Sequence, residues 1–557
     1  MIQAIRRQAL VVVGTGMAGA KVVEEVHARA PDCFSIRMFG AEPHGTYNRI
    51  LLSSVLGGFA EPERLWLNPL DWYEERGVRV HGGVRAETID RDQRVVVGAG
   101  GKVAEPYDVL VLATGSRPFV PPMEGVKQKG VFVFRTIDDC GAVAAYAQDC
   151  ERAAVIGGDL LGLEAARGLL SHGLEVTVVE VAPHLMIQQL DPAGGALLKR
   201  KLEAMGVRVL LETATTHILG DGHVTGLRFK DGTTLDTDMV VVSCGIRPNA
   251  DEAKAAGLTV ERAIVVDDQL RTNDPDIFAV GECAQHRGKL YGLVDPVYEQ
   301  ARVLADVVTG AMPQAAYRGS KLATTLKVMG VDLTAMGEVN AAGPDCEVVS
   351  HLDPGKGVYK KLVLRDNQLV GAILLGETDP TGKLQRLFKN GEPLSESSVE
   401  LLTGNSARDA LLQQGASADL TGLADDTQIC NCHAVDKGRI VAAIREGKKC
   451  SIEALGQCTR AGTGCGTCQP LLGQLIQLYS GKIDEGMNKV EIIKEEKDGL
   501  DALPDILRLA QNNDVPIEQL ADALEPLVCY LPRSCGLIQA PAPEAGTQTS
   551  EAGRFLI

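Results

Sequence analysis

Two segments of this chain carry the same strand–glycine–helix pattern, and that repetition limits the fold more than any other feature. The first, QALVVVGTGMAGAKVVEEVHARA, reads as an apolar strand, a glycine turn at Gly14-x-Gly16-x-x-Gly19 and an amphipathic helix. The second, RAAVIGGDLLGLEAARGLLSHG, restarts that order with glycines at Gly157 and Gly162. Each is followed by a further strand (FSIRMFGAE, EVTVVE) and later by one that ends in a turn (YDVLVLATGSRP, MVVVSCGIRPN). Strands alternating with helices in this way call for parallel sheets. It is a duplicated architecture rather than a short-period repeat. The 61 glycines and 4% aromatic content suit many tight βα turns better than a β-sandwich.

The first turn has the residues that a dinucleotide needs. Its leading glycine makes the tight turn, the second lets the backbone approach a pyrophosphate, and the third packs helix against strand. The phosphate then rests on the helix N-terminus. Glu42 stands at the end of the next strand, where an acid accepts hydrogen bonds from a ribose. Dinucleotide binding is expected; the bland alternative is a structural turn with no ligand. In the second turn Asp159 takes the middle position, so a Cβ and an anion both oppose close approach. Glu180 nevertheless ends the following strand, and Glu164 follows the turn. A nicotinamide nucleotide is expected here, with a degenerate, empty domain as the alternative. Glu180 would repel a 2′-phosphate, which favours NADH over NADPH. Asp159 is tolerable if it turns away from the diphosphate or caps the helix.

At 557 residues the chain has room for three to four domains. Its formal charge of −17 argues against nucleic acid as a partner. No run of 18 apolar residues is present, and the N-terminus runs directly into a strand, so a cytoplasmic protein without a membrane span is expected. Of the 14 cysteines, Cys430, Cys432, Cys465 and Cys468 fall in tight pairs, and the scattered remainder read as buried small hydrophobes. The same reading covers Cys450 and Cys458, between the pairs. The pairs C-x-C and C-x-x-C can converge on one metal site, and thiolates suit zinc or an iron–sulfur cluster; spacing alone does not separate them.

Three further elements narrow the choice. Ala113-Thr114-Gly115 closes the first nucleotide unit, Cys244-Gly245 closes the second, and Gly281-Glu282 follows the strand-like DPDIFAV, suited to hydrogen-bonding a flavin's ribityl chain. The whole resembles the flavoprotein reductases with two dinucleotide domains, which implies FAD on the first and NAD(P)H on the second. Those proteins usually carry Asp after the glycine; Glu282 is a longer variant. Arg49, in YNRILLS, matches the segment that lies along FAD in the ferredoxin-reductase-like branch. Disulfide reductases of the superfamily hold a redox cysteine in this stretch, and residues 48–58 hold none. Disulfide, CoA-disulfide and thiol-based peroxide reduction are therefore not expected, and electrons must leave by another carrier.

That carrier is named by a second resemblance. CNCH (430–433) and TRAGTGCGTC (459–468) look like the bacterioferredoxin-associated ferredoxin module, which implies a [2Fe–2S] cluster held by Cys430, Cys432, Cys465 and Cys468. YNRILLS, KKLVL (360–364), NGEPL (390–394) and the cysteine unit, in that order, resemble the large subunits of NAD(P)H-dependent assimilatory nitrite reductases and the related electron-transfer subunits of assimilatory nitrate reductases, over residues 8–480. The segment 488–500 looks like the start of a sirohaem module. That module needs two cysteine pairs; Cys529 and Cys535 supply one spacing, and no second pair follows.

The expected fold is α/β, with two Rossmann-like domains of the flavoprotein reductase type, a small α/β interface domain and a small helical [2Fe–2S] domain. Residues 1–120 and 247–320 would form the FAD domain, 121–246 the NAD(H) domain, 321–410 the interface domain and 428–480 the cluster domain. Residues 411–427, within the polar stretch SESSVELLTGNSARDALLQQGASADLTGLADDT, read as a linker, and 481–557 as an extension with a disordered end. The expected activity is transfer of electrons from NADH through FAD and the cluster to a nitrite or nitrate reductase centre on a partner, with a homodimer left open. No acid–base catalyst is needed, because hydride transfer to a flavin requires none. Two alternatives are a ferredoxin- or rubredoxin-reductase-like enzyme for an unrelated acceptor and a non-enzymatic redox sensor.

Overall fold

The computed structural model describes residues 7–479 apart from 342, 379–380, 395–396, 404–419, 421–422, 424, 426–427, 431–434, 448–450 and 464–467. Cys432, Cys450, Cys465, Cys529, Cys535 and the low-complexity end therefore lie outside the described residues.

The first parallel sheet has the order Ile277–Ala279, Val109–Leu112, Gln8–Val13, Phe34–Gly40 and Arg79–Gly82. Leu10, Val11 and Val12 are fully buried, as an unbroken apolar run predicts for a strand covered on both faces. The strand Ile277–Ala279 joins this sheet from far along the chain, so the first unit is completed only after the second has been built. The second parallel sheet has the order Val131–Val133, Met239–Val242, Arg152–Ile156, Glu175–Val179 and Arg208–Leu210. A three-stranded antiparallel meander accompanies each sheet, at Ala86–Pro106 in the first and Thr215–Asp236 in the second.

The chain crosses between these units twice, and the crossings pair as an antiparallel ribbon, Ser116–Pro118 with Ile246–Pro248. Thr114 donates its hydroxyl to the Asn249 carbonyl at 2.6 Å, and the Asn249 amide donates back to the Thr114 carbonyl at 2.9 Å. A segment well before the first crossing, after the strand Phe34–Gly40, also ties the units together. Tyr47, Leu52, Leu56 and Leu65 are buried in the same core as the strands of the second sheet.

Residues 323–375 form an antiparallel sheet, and the helix Thr381–Asn390 packs on it. The polar stretch begins inside the expected interface domain, ahead of the residues read as linker. Ser398–Thr403 is helical, with Leu401 and Leu402 buried in the core of this sheet. A pair of adjacent leucines in a polar context is enough to dock one short helix. The final unit carries Gln428–Cys430 paired with Val435–Asp436, then the helices Lys437–Gly447, Ile452–Thr459 and Gln469–Tyr479 around their own apolar core. Among the described residues no helix is long and apolar enough to cross a membrane.

Candidate functional site

The first glycine turn is shaped by backbone contacts that leave no room for side chains. Gly14 has φ +120°, and a Cβ there would lie 2.1 Å from the Ala113 carbonyl oxygen; one on Gly19 would lie 2.0 Å from the Gly14 carbonyl oxygen. Gly16 is different. Its φ is −72°, open to any residue, and a Cβ would meet nothing within 4 Å. Nothing in the chain itself requires glycine there. The open space lies at the N-terminus of the helix Met17–Arg29, whose first amides receive no side-chain cap from Gly16. The first amides and the positive end of the helix dipole face that space, the surroundings in which an anion such as a pyrophosphate is stabilised.

The second turn repeats the backbone closely. Gly157 has φ +119°, and its Cβ would lie 2.0 Å from the Ser243 carbonyl oxygen; a Cβ on Gly162 would lie 2.1 Å from the Gly157 carbonyl oxygen. Asp159 stands where Gly16 stands, at the N-cap of the helix Leu160–Ser171, with extended backbone. Its side chain accepts no bond from the helix amides. The capping role considered from the sequence is therefore not the one Asp159 takes. Its side chain is exposed at the mouth of the crevice, yet partial desolvation by the surrounding protein, and then the charge of Glu180, push its pKa up. Glu180 accepts hydrogen bonds from the Gly158 amide at 2.5 Å and the Ala182 amide at 2.7 Å. A Cβ at Gly158 would lie 3.0 Å from that carboxylate and 2.6 Å from the Leu185 side chain, so glycine at this point lets Glu180 reach the turn. Glu164 lies one turn into the helix, and burial pushes its carboxyl up to about 8, with Arg167 opposing.

Between the two turns the structure brings Glu42, Arg49 and Glu282 together and adds Arg135, which sequence reasoning missed. Tyr47 donates to Glu42 at 2.6 Å, and Arg49 pairs with the same carboxylate while donating to the Arg135 carbonyl at 2.9 Å. Arg135 in turn pairs with Glu282, which accepts a further bond from Ser116 at 2.5 Å. Burial pushes the Tyr47 phenol up, although Arg49 beside it works the other way. Gly281 has φ +83° and its amide is held by Gln300 at 2.9 Å. Thr114 and Gly245 lie at the two chain crossings, Gly245 with φ +96°. No spacing or motif in the sequence marks Arg135; its only local signal is the Thr136–Asp139 capping box that follows it.

In the final unit Cys430 and Cys468 are buried in one core, 38 positions apart in the chain. Their companions Cys432 and Cys465 lie outside the described residues. Thiolates are the donors that an iron–sulfur cluster takes. This unit sits on the first one: the Asn48 amide donates to the Thr463 carbonyl at 3.4 Å, and Arg460 reaches Glu24, Leu67 and Asn68. Asp295, in the first turn of the helix Val294–Thr309, is pushed up by burial; Lys389 opposes this, and Glu299 and Cys430 add to it. Reading the scattered cysteines as buried holds for Cys140 and Cys283 but not for Cys33 and Cys458, which are exposed. Cys33 lies in the loop before Phe34–Gly40, and Cys458 sits on the outer side of its helix, where its thiol donates to the Ala454 carbonyl.

Compared with known families, residues 8–304 match the pyridine nucleotide-disulphide oxidoreductase model, more than half of the chain. The chain belongs to that family. Residues 323–392 of this oxidoreductase match the C-terminal domain of rubredoxin NAD+ reductase, and 428–477 match the BFD-like [2Fe–2S] binding domain. A nitrite reductase [NAD(P)H] of Bacillus subtilis is 43% identical over 85% of this chain and 58% of its own length. The assimilatory nitrate reductase electron transfer subunit of the same organism is 38% identical over 85% of this chain and 60% of its own. The chain thus spans less than two thirds of these relatives. A ferredoxin reductase of Rhodopseudomonas palustris superposes with a TM-score of 0.65 at 26% identity, over 71% of this chain and 99% of that one. The resemblances to the flavoprotein reductases, to the [2Fe–2S] module and to the nitrite and nitrate reductase subunits stand, while residues 488–500 lie outside the described residues. This is an FAD-dependent NAD(P)H oxidoreductase carrying a [2Fe–2S] domain.

Proposed function

We propose that this oxidoreductase takes electrons from NADH and delivers them, through FAD and then the cluster, to a nitrite or nitrate reductase centre on a partner protein in the cytoplasm. FAD can accept two electrons as a hydride and release them singly, which a one-electron cluster requires. The chain's own residues have the work of holding and separating. Gly14, Gly16 and Gly19 leave room for the FAD pyrophosphate, and Glu42 is placed to share its carboxylate between Arg49, Tyr47 and a ribose. Thr114, Gly281 and Glu282 line the flavin side of the crossing. Gly157, Gly162, Glu164, Glu180 and Gly245 serve the nicotinamide nucleotide, and the carboxylate of Glu180 disfavours a 2′-phosphate. Cys430, Cys432, Cys465 and Cys468 hold the cluster. The domain divisions follow: 1–120 with 247–320 for FAD, 121–246 for NADH, 321–410 between them and 428–480 for the cluster.

One observation carries this reading. The cluster unit touches the FAD unit at Asn48, the residue next to Arg49 in the segment assigned to the flavin. The test is anaerobic addition of NADH to the purified chain, followed by EPR. Wild type should bleach the flavin and show a reduced-cluster signal. Cys432→Ser or Cys465→Ser should bleach as fast and lose the signal. Zinc in place of iron and sulfide would overturn the assignment. Addition of a nitrite or nitrate reductase partner should then give NADH-dependent product. The likeness to a ferredoxin reductase favours a second reading, an unrelated electron-carrier acceptor, which product formation with neither partner would support.

A further inference from the structure

The contact between the cluster unit and the FAD unit is built around one side chain. Arg460 follows the helix Ile452–Thr459 and precedes the cluster loop, with φ 65° and ψ 3°, its amide bonded to the Gly456 carbonyl at 2.8 Å. Glycine is the usual residue at such a helix end, because a Cβ is unfavourable in the left-handed region. Here an arginine holds the position and turns its half-buried guanidinium away from its own unit. It pairs with Glu24 of the first glycine-turn helix at 2.7 Å, donates to the Leu67 carbonyl at 3.2 Å and bonds the Asn68 side chain. Asn68 is fully buried and donates to Glu24 at 2.9 Å, so the two side-chain acceptors of Arg460 are fixed by each other.

That anchor continues into the FAD site. Asn68 reaches the Tyr73 hydroxyl, and Tyr73 lies 2.6 Å from the Thr46 hydroxyl. Thr46 spends its single proton on the Thr15 carbonyl at 2.7 Å, so Tyr73 must be the donor to Thr46. Thr15 is the residue between Gly14 and Gly16. A run of polar side chains therefore leads from Arg460 through Asn68, Tyr73 and Thr46 to the first glycine turn. On the other side of Arg460, Thr463 donates its hydroxyl to the Arg460 carbonyl at 2.9 Å and offers its own carbonyl to Asn48.

We infer that Arg460 is a positioning residue, a latch that docks the cluster unit onto the FAD unit in register with the glycine turn and so sets the rate of electron passage from flavin to cluster. The inference rests on the electron path proposed above. Among the described residues the side chain of Arg460 bonds only the first unit, at Glu24, Leu67 and Asn68, so its removal should leave the nicotinamide site and the cluster intact.

The decisive variant is Arg460→Gly, which suits the left-handed backbone and removes only the side chain. In the full chain with both cofactors, stopped-flow mixing with NADH should show flavin bleaching at the wild-type rate and cluster reduction slowed about tenfold as the docked population falls. Iron, sulfide and FAD contents should equal wild type. Hydrogen exchange, which needs no turnover, should show lost protection in 66–68 and 460–463. Arg460→Lys should restore part of the rate, and Glu24→Arg with Arg460→Glu should recover more than either single change. Wild-type cluster reduction and protection in Arg460→Gly would overturn the latch, as would loss of the cluster itself, which would make Arg460 part of the cluster unit's own folding. A wild-type chain whose flavin bleaches while its cluster stays oxidised would instead sink the proposed electron path, and hydrogen exchange would still decide the docking.

Discussion

The two dinucleotide units are near copies in backbone and opposites in what they present to a ligand. Gly14 and Gly157 share a φ within a degree, and both would clash with a carbonyl from the crossing strand if they bore a Cβ. At the helix N-cap, however, one unit has the bare space above Gly16 and the other the carboxylate of Asp159. The acids differ as well. Glu42 is held by the side chains of Tyr47 and Arg49, whereas Glu180 is held by the backbone amides of Gly158 and Ala182. Two residues past the last glycine of each turn, Lys21 is ion-paired to Glu25 at 2.6 Å, while Glu164 has no hydrogen-bonding partner among the described residues. The lesson is that packing constraints are copied with the fold, and ligand-facing positions are free to diverge. Around the first turn each cation, Lys21, Arg49 and Arg135, is paired with a carboxylate, whereas the second turn has Asp159 and Glu164 with raised pKa values and no such partner among the described residues.

Making the first unit like the second should have the largest effect. Gly16→Asp places an anion where the FAD pyrophosphate approaches; two unit charges at 4 Å interact by about 4 kcal/mol at an effective dielectric of 20. The purified variant should have lost nearly all its flavin, measured by absorbance after desalting. Full FAD content would show that Gly16 does not face the pyrophosphate.

The unpaired carboxyl of Glu164 gives the next effect. Its pKa is raised from 4.5 to about 8. The native chain keeps a proton here that the unfolded chain releases, so the contribution to stability is complete below the unfolded value and is lost as pH rises through about 8. Glu164→Gln should remove this loss, leaving the variant more stable than wild type above pH 8 by on the order of 2 kcal/mol relative to their difference at pH 4.5. Denaturant unfolding without nucleotide at the two pH values checks the sign. Parallel curves would mean that Glu164 is solvated in solution.

The smallest effects belong to the nucleotide crevice. Asp159→Gly makes the second unit like the first and should lower the NADH KM about two- to fivefold, the range expected for a partly screened charge. Glu180→Ala should narrow the preference for NADH over NADPH by roughly tenfold. Steady-state kinetics with both nucleotides and an artificial acceptor measure both. A wild type preferring NADPH would refute the role of Glu180, and weaker NADH binding by Asp159→Gly would show that Asp159 supports the site.

Much of this was legible in the sequence because it depends on local rules. Apolar runs such as LVVV, turn glycines and an acid at the end of the next strand stand within one βαβ unit, where spacing translates directly into geometry. The helix Ser398–Thr403 was not legible, because two leucines in a polar stretch make no period. The exposure of Cys33 and Cys458 was not legible either: a single residue's burial depends on which face of its element meets a neighbour.

What the sequence determined alone is the kind of machine: two nucleotide turns, no thiol in residues 48–58 and a paired-cysteine unit that matches a [2Fe–2S] binding domain. Tertiary structure decided which residues meet across long separations. Arg135 reaches Glu282, Asn68 and Glu24 receive Arg460, and Asn48 meets Thr463. Each pair joins groups with no periodic or motif relation, brought together when separate units pack. Only the closing of those interfaces, driven by burial of the cores beneath them, could choose the partners.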